Sequence, residues 1–327
     1  MSLNGRRVLI TGAGGFIGSH LAEELTRQGA RTRALVRYNS TGRQGWLDDS
    51  PLKSNMEIVA GDVTDHDLLK GAMRDVEIVF HLAALIAIPY SYEAPESYVQ
   101  TNVLGTLRVL QAARDAGVVR VIQTSTSEVY GTAQRVPIGE DHPLQGQSPY
   151  SASKIGADKI AESFHLAYGL PVVTLRPFNT FGPRQSARAV IPTIVTQCLE
   201  GDRVRLGALT PTRDLTYVAD TAEGFLAAAV AEKAVGETIN LGTGQEIAIG
   251  DLATLIGRLM GKTVRIESEK ERLRPEASEV GRLKSDNGKA RTLLGWRPKT
   301  TLEDGLRHTI EWLKENRHRL RTGGYVL

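Results

Sequence analysis

Short apolar runs alternate with longer amphipathic segments through the first half of the chain. The apolar runs have the length and composition of buried parallel strands: RVLIT (7–11), TRALV (32–36), MEIVA (56–60), VEIVFHL (76–82), RVIQTS (120–125) and PVVTLRP (171–177). The amphipathic segments between them include FIGSHLAEELTRQG, ESYVQTNVLGTLRVLQAARDAG and YSASKIGADKIAESFHLAYG, and each ends in glycine, which favours helix termination. This alternation predicts an α/β fold with a doubly wound parallel sheet of the Rossmann type.

The pattern becomes irregular after residue 177, which indicates a second, smaller domain. TINLGTG (238–244) predicts one more strand, and LEDGLRHTIEWLKENRHRL (302–320) predicts a closing helix. We therefore expect a Rossmann-type domain made of residues 1–177, 213–241 and 302–320. The smaller C-terminal domain would consist of 178–212 and 242–301.

Composition excludes several classes of protein. The 40 basic residues nearly balance the 37 acidic ones, and they are scattered, so no nucleic-acid partner is predicted. The single cysteine, Cys198, excludes a disulfide framework, and the seven histidines lack ligand spacing, so no metal is predicted. No apolar run approaches the ~18 residues of a membrane span, and RRVLITGAGG begins without a signal-peptide pattern. We expect no membrane association and a cytoplasmic protein.

A glycine triplet in TGAGGFIGSH follows the first strand directly and opens the first helix. Gly12, Gly15 and Gly18 have the spacing that permits a tight turn, close approach of the backbone to a pyrophosphate, and helix–strand packing. With Phe16 and Ile17 they predict a dinucleotide site at the helix N-terminus.

The second strand distinguishes between the two nicotinamide dinucleotides. Enzymes that use NAD place an acidic residue near its end, whereas this chain has Arg37, which suits a 2′-phosphate. The sequence therefore favours NADP, with NAD as the alternative. Asp62, after the third strand, is either an adenine contact or an ordinary turn aspartate.

A tyrosine and a lysine in SPYSASK suggest redox chemistry on an alcohol. Tyr150 and Lys154 lie four residues apart, on one face of a helix. The lysine ammonium is expected to lower the pKa of the phenol, which then accepts an alcohol proton, and Thr126 can hydrogen-bond the same substrate oxygen.

Six motifs together give the chain a specific resemblance. TGAGGFIGSH, HLAA (81–84), TSTSEVYG (124–131), SPYSASK, RPFNTFGPR and RDLTYVAD occur in the order that is typical of extended short-chain dehydrogenases/reductases acting on nucleotide sugars. The resemblance implies an NAD(P)-binding first domain, with Val63, Leu82, Ala83 and Ala84 at the cofactor, and a nucleotide-sugar-binding second domain. It also implies a homodimer, for which the amphipathic helices 95–117 and 149–169 offer a four-helix interface.

Glu128 separates the reactions within this family. The stretch Thr126-Ser127-Glu128 resembles the 4,6-dehydratases, whereas 4-epimerases have no acid there; UDP-glucuronate decarboxylases also carry it. In a dehydratase, Glu128 would remove the C5 proton next to a 4-ketone, and Glu128 or Ser127 would protonate the leaving C6 hydroxyl. We expect a 4,6-dehydratase; the alternatives are a decarboxylase or epimerase, and more remotely a non-enzymatic NAD(P)-binding regulator.

The predictions for the substrate-binding residues rest on this resemblance as well. Asn179 of RPFNTFGPR is expected at the diphosphate, and Arg213 and Arg274 are expected to bind phosphate through their guanidinium groups. HLAALIAIPYSYEAPESYVQTNVLGT and RPFNTFGPRQSARAVIPTI are most similar to the 4,6-dehydratases of the legionaminic acid pathway. That similarity implies UDP- or GDP-N-acetylglucosamine as substrate and keeps NAD open, because such enzymes often lack a basic residue at position 37.

Overall fold

The computed structural model describes residues 2–317. The strands are β1 (Arg7–Thr11), β2 (Arg31–Arg37), β3 (Glu57–Gly61), β4 (Ile78–His81), β5 (Arg120–Thr124), β6 (Val172–Pro177), β7 (Asn179–Phe181), β8 (Arg203–Leu206), β9 (Thr212–Arg213), β10 (Leu215–Tyr217), β11 (Thr238–Leu241), β12 (Ile247–Ala248) and β13 (Arg265–Ser268). The helices are α1 (Phe16–Arg27), α2 (His66–Ala72), α3 (Ile88–Glu93), α4 (Pro95–Tyr98), α5 (Gly105–Asp115), α6 (Pro149–Tyr168), α7 (Val190–Glu200), α8 (Val218–Val230), α9 (Ile249–Leu259), α10 (Gly288–Leu294) and α11 (Leu302–Glu315).

Seven strands form one parallel sheet in the order β11-β6-β5-β4-β1-β2-β3. Successive side chains of β1 alternate between two apolar clusters. Val8 and Ile10 pack toward α1 and α8, whereas Leu9 packs with Val79 toward α5 and α6. Both faces of the central strands are covered, which explains why β1, β4 and β5 are mainly apolar. The predicted Rossmann-type, doubly wound sheet is confirmed.

All seven strands predicted from the sequence are present, with ends within three residues of the predicted ones. The predicted helix 149–169 is α6, which Ser148 caps through a reciprocal bond with Ser151 and which Gly169 ends at a φ of 66°. The predicted closing helix is α11, which ends at Glu315; its expected residues 318–320 lie outside the described part of the chain.

The predicted helix 95–117 is not a uniform α-helix. It consists of α4, a π-helical segment over Val99–Leu104, and α5. Hydrophobic periodicity does not distinguish this wider turn from ordinary α-helix. The segment nevertheless matters, because π-turns are frequent at functional sites.

Most of the chain after β6, apart from α8 and β11, builds a smaller unit against one end of the sheet. Three two-stranded pairs contribute, β7 with β10, β8 with β13, and β9 with β12. A third apolar cluster joins α7 and α9 with the buried face of α11, including Leu306, Ile310 and Leu313. This packing associates α11 with the smaller unit, and the domain boundaries stay a prediction.

Within residues 2–317, none of the helices combines the length and apolar character needed to cross a bilayer.

Candidate active site

A cleft of about 1480 Å³ lies where the carboxyl ends of the central strands meet the smaller unit. Such an edge is where doubly wound sheets bind their ligands. All residues that the sequence suggests for cofactor, catalysis and substrate line it: Gly12, Gly15, Phe16, Ile17, Gly18, Arg37, Asp62, Val63, Leu82, Ala83, Ala84, Thr126, Ser127, Glu128, Tyr150, Lys154, Asn179, Arg213 and Arg274. The fold thus brings the predicted set together, and their individual roles stay predictions.

The glycine turn after β1 leaves no room for side chains. Gly12 has a φ of 71°, and a Cβ atom there would lie 2.8 Å from the backbone nitrogen of Ala83. A Cβ atom on Gly18 would lie 2.2 Å from the carbonyl oxygen of Gly12. These contacts give the turn a physical need for glycine, and the start of α1 faces the cleft.

Arg37 and Asp62 line the cleft where β2 and β3 end. Arg37 is exposed at the end of β2. The Asp62 carboxylate accepts hydrogen bonds from the backbone N–H of Thr64 at 2.9 Å and from its hydroxyl at 2.7 Å. Asp62 therefore is a turn aspartate that also lines the cleft, so the two interpretations of its role are compatible.

The sequence interpretation missed Trp46 at the same end. Its backbone N–H donates to the carbonyl oxygen of Gly14 at 3.0 Å, which brings the loop after β2 against the glycine turn. Its indole ring packs edge to face with Trp312 of α11 at 5.4 Å. No local motif marked this residue, because its contacts are made across the fold.

Tyr150 and Lys154 are both buried on the inner face of α6. The Tyr150 phenol hydrogen-bonds the side chain of Thr126, as expected of groups that share a substrate oxygen. Burial lowers the pKa of Lys154 to about 8, and the Asp158 charge opposes this. The Lys154 ammonium donates to the carbonyl oxygen of Thr124 at 2.6 Å.

The expectation that Lys154 lowers the pKa of Tyr150 is not met. Burial raises the pKa of this phenol, the Thr126 hydrogen bond partly counters the rise, and the negative charge of Glu128 adds to it. The reason is geometric, since Lys154 is directed back to the end of β5. The feature of the site that favours phenolate is the Thr126 hydroxyl.

Glu128 is held inside the cleft. Thr126 caps the short 3₁₀ turn Ser127–Tyr130, accepting a hydrogen bond from the Glu128 backbone N–H at 3.2 Å. Only 9% of Glu128 is exposed, and its carboxylate is near enough to Tyr150 to raise the pKa of the phenol. These contacts exclude a freely solvated loop position for the carboxylate.

The substrate end contains a carboxylate that the sequence did not suggest. Glu279 Oε1 lies 3.0 Å from Arg213 Nη2 and 3.6 Å from Arg274 Nη1. The buried side-chain oxygen of Asn179 has no hydrogen-bond partner among the described residues. The two guanidinium groups suit this end to an anionic ligand, and the Asn179 amide oxygen can accept a hydrogen bond from a ligand hydroxyl or N–H.

Asn102, in the π-helical segment, is a second residue that the motifs did not reveal. Its amide accepts from the Leu85 N–H at 2.8 Å, and donates to the Leu85 carbonyl at 2.9 Å and to Ser153 Oγ at 2.9 Å. Ser153 in turn donates to the Tyr150 carbonyl oxygen at 2.7 Å. The π-helical segment therefore links the loop after β4 to the first turn of α6, which carries Tyr150.

The doubly wound sheet, the glycine turn and the pair Tyr150 and Lys154 in the cleft define a site of the short-chain dehydrogenase class. The family model described as GDP-mannose 4,6 dehydratase matches residues 9–309. The chain belongs to the extended short-chain dehydrogenase/reductase family of nucleotide-sugar dehydratases, epimerases and decarboxylases, and is an enzyme of that family.

Individual relatives represent each of these reactions. A UDP-glucose 4-epimerase of Mycolicibacterium smegmatis is 34% identical, over 94% of this chain and 98% of its own length. A UDP-N-acetyl-alpha-D-glucosaminuronate decarboxylase of Bacillus cytotoxicus is also 34% identical, over 95% and 98%. The crystal structure of DesIV, a dTDP-glucose 4,6-dehydratase of Streptomyces venezuelae with NAD and TYD bound, superposes with a TM-score of 0.87 at 33% identity, over 96% and 98%. Similarity alone does not choose among the three reactions.

Proposed function

We propose that the protein is a nucleotide-sugar 4,6-dehydratase that converts a nucleotide-linked hexose to its 4-keto-6-deoxy form. The observation that carries the proposal is Glu128, a mostly buried carboxylate beside Tyr150 in the cleft. A 4,6-dehydration needs a base at C5 in addition to the group that handles the 4-hydroxyl proton, whereas a 4-epimerisation does not.

Each of the side chains in the cleft can take a separate part in this reaction. When bound, NAD(P) would supply the hydride acceptor for oxidation at C4 and the hydride donor for reduction at C6. Tyr150 takes the proton of the 4-hydroxyl while Thr126 hydrogen-bonds the same oxygen. The resulting 4-ketone makes the C5 proton acidic, and Glu128 removes it. The C–O bond at C6 then breaks, and the hydroxyl leaves as water with a proton from Glu128 or Ser127. The unsaturated ketone that results takes a hydride at C6 and a proton at C5, which restores the C5 hydrogen.

The cofactor fits the glycine turn, which leaves the backbone exposed to a pyrophosphate, and Lys154 lines the part of the cleft next to Tyr150. The choice between the two dinucleotides depends on Arg37. Its guanidinium at the end of β2, with no carboxylate at that position, supports NADP. The NAD in the DesIV structure supports NAD instead. We propose NADP, with NAD as the alternative.

The substrate is proposed to be UDP- or GDP-N-acetylglucosamine. Arg213 and Arg274 converge closely enough to bind neighbouring phosphate oxygens of a diphosphate, and Asn179 lines the same stretch of cleft. The base and the 2-acetamido group rest on the sequence resemblance alone.

A homodimer is proposed through the helices 95–115 and 149–168. Val99 and Leu166, one on each helix, are 53% and 76% exposed. Exposed apolar side chains on two neighbouring helices fit a surface that a second copy covers. The cytoplasmic location also stays a prediction.

The second candidate is a nucleotide-sugar decarboxylase. The relative from Bacillus cytotoxicus is as similar as the epimerase, and decarboxylases share the Thr-Ser-Glu stretch. A 4-ketone next to a C5 carboxylate would lose CO₂ without a base at C5, so Glu128 would then serve another purpose.

Mass spectrometry after incubation with a panel of UDP-, GDP- and dTDP-linked sugars tests the proposal. Loss of one water from an N-acetylhexosamine nucleotide is the expected result. Loss of CO₂ from a uronic acid would assign the decarboxylase, and a product of unchanged mass that chromatography separates from the substrate would assign an epimerase.

A further inference from the structure

A buried ion pair lies directly behind the catalytic residues. Asp158, on α6, and Arg176, on β6, have side chains that are 4% and 6% exposed. Arg176 donates to Asp158 Oδ2 from Nε at 3.2 Å and from Nη2 at 3.1 Å. Neither residue lines the cleft, so contact with the substrate does not explain why two charges are buried here.

The pair holds both ends of the segment that carries the proposed catalytic loop, residues 125–130. At the first end, Ser125 Oγ donates to Asp158 Oδ2 at 2.7 Å. At the other end, Arg176 Nη1 donates to the Tyr130 hydroxyl at 2.9 Å, and that hydroxyl donates to Asn240 Oδ1 at 2.7 Å. Thr126, Ser127 and Glu128 therefore lie on a short segment that is fixed on both sides by one ion pair.

The Asp158 carboxylate also raises the pKa of Lys154, which lies one helical turn earlier on the same face of α6. Its second oxygen, Oδ1, is buried and has no hydrogen-bond partner among the described residues. Burial raises the pKa of Asp158, while Arg176, the Ser125 hydroxyl and Lys154 lower it. We take the carboxylate as ionised, because a permanently charged guanidinium donates to it twice.

The charged or titratable groups that face Lys154 are few. Asp158 is the group whose charge raises the pKa of Lys154, against the larger effect of burial. His81, at the end of β4, also senses the ammonium, but burial lowers its own pKa to about 3, so it is neutral. Without Asp158, burial of Lys154 would have no opposing negative charge from these neighbours.

We propose that Asp158 is a positioning residue, which with Arg176 fixes both ends of loop 125–130 and keeps Lys154 in its ammonium form. The inference rests on the proposed function, because it takes Lys154 as the donor to the cofactor. It concerns binding of the cofactor, however, and not which sugar is dehydrated. An ammonium is a stronger donor than a neutral amine, so cofactor affinity should fall as pH rises through the titration of Lys154.

The experiment measures NADH and NADPH binding by fluorescence across pH, without any sugar. Asp158→Asn should move the midpoint of the affinity loss down by about 1–3 pH units, the usual effect of one nearby opposite charge. Arg176→Gln removes the guanidinium that keeps Asp158 ionised, so the buried carboxyl should take up a proton and the midpoint should also move down. Loss of packing alone would lower the affinity at every pH, whereas loss of the Asp158 charge moves the midpoint.

Three further variants complete the test. Lys154→Met should abolish the pH transition. Ser125→Ala keeps both charges, should retain the wild-type midpoint, and serves as comparison if Arg176→Gln does not fold. Asp220→Asn changes a carboxylate buried in α8 and bonded to the backbone of residues 299 and 300, away from the cleft, and should also retain that midpoint.

The inference is overturned if Asp158→Asn keeps the wild-type midpoint, if it loses affinity equally at every pH, or if the transition persists in Lys154→Met. A wrong assignment of the sugar reaction would leave all these binding results unchanged, and would show only in the mass spectrometry.

Discussion

Replacing Glu128 by glutamine separates the two halves of the proposed reaction. The amide has nearly the same shape, and the bond that caps the turn is made by the Glu128 backbone, so the loop should keep its conformation. The negative charge of Glu128 raises the pKa of Tyr150, so its removal should leave oxidation at C4 intact or make it easier. Removal of the C5 proton should fail, because an amide is not a base at neutral pH.

The structure also sets the size of this effect. The carboxylates whose charges act on Tyr150 are Glu128 and Asp158, and Asp158 does not line the cleft. Of these two carboxylates only Glu128 lines the cleft, so Asp158 is not placed to replace it as the base. Dehydration should therefore slow by about 10²–10⁴-fold, as when a positioned base is lost. That corresponds to about 2.7–5.4 kcal/mol of barrier.

The assay follows reduced nicotinamide by its near-ultraviolet absorbance and the product by mass spectrometry. Glu128→Gln should accumulate bound reduced cofactor and release little product, whereas Tyr150→Phe should show neither. The matched control is Glu140→Gln, a partly buried carboxylate that accepts from the Asn240 N–H and does not line the cleft. The Glu140→Gln variant should dehydrate the substrate at the wild-type rate. Dehydration by Glu128→Gln at near the wild-type rate would refute the reasoning.

Three further predictions concern the cofactor and the assembly. Arg37→Ala should weaken NADP binding by ~10-fold or more and NAD binding far less, in calorimetry; equal losses would show that Arg37 does not bind the 2′-phosphate. Gly18→Ala should strongly impair cofactor binding, because its Cβ would meet the Gly12 carbonyl at 2.2 Å, whereas Gly71→Ala, with nothing within 4 Å, should bind normally. Leu166→Glu should shift the protein from dimer to monomer in light scattering, and a wild-type monomer at micromolar concentration would contradict the dimer.

The central sheet was predictable because its strands are buried on both faces. That burial demands continuous apolar runs, and these are visible in the chain without any knowledge of the fold. The glycine turn was predictable for a related reason, since Gly12 and Gly18 lie where a Cβ atom has no space. In both cases the constraint acts on the identity of residues close together in the sequence.

Other features depend on contacts between distant segments and leave little local trace. The effect of burial on Tyr150 reverses the pKa shift that its spacing from Lys154 suggested. Asp158 and Arg176 are ordinary charged residues of a helix and a strand until the fold buries them together. Glu279 was missed for the same reason, because its partners Arg213 and Arg274 become neighbours only in the folded chain.

The path of the hydride tests the central claim most directly. The substrate would be UDP-N-acetylglucosamine, or the nucleotide sugar that the panel identifies, with deuterium at C4. A 4,6-dehydratase moves that deuterium within one molecule, so we predict that the label appears in the C6 methyl group of the product, as read by nuclear magnetic resonance. A label that returns to C4, or a product that has lost CO₂ instead of water, would contradict the proposed reaction.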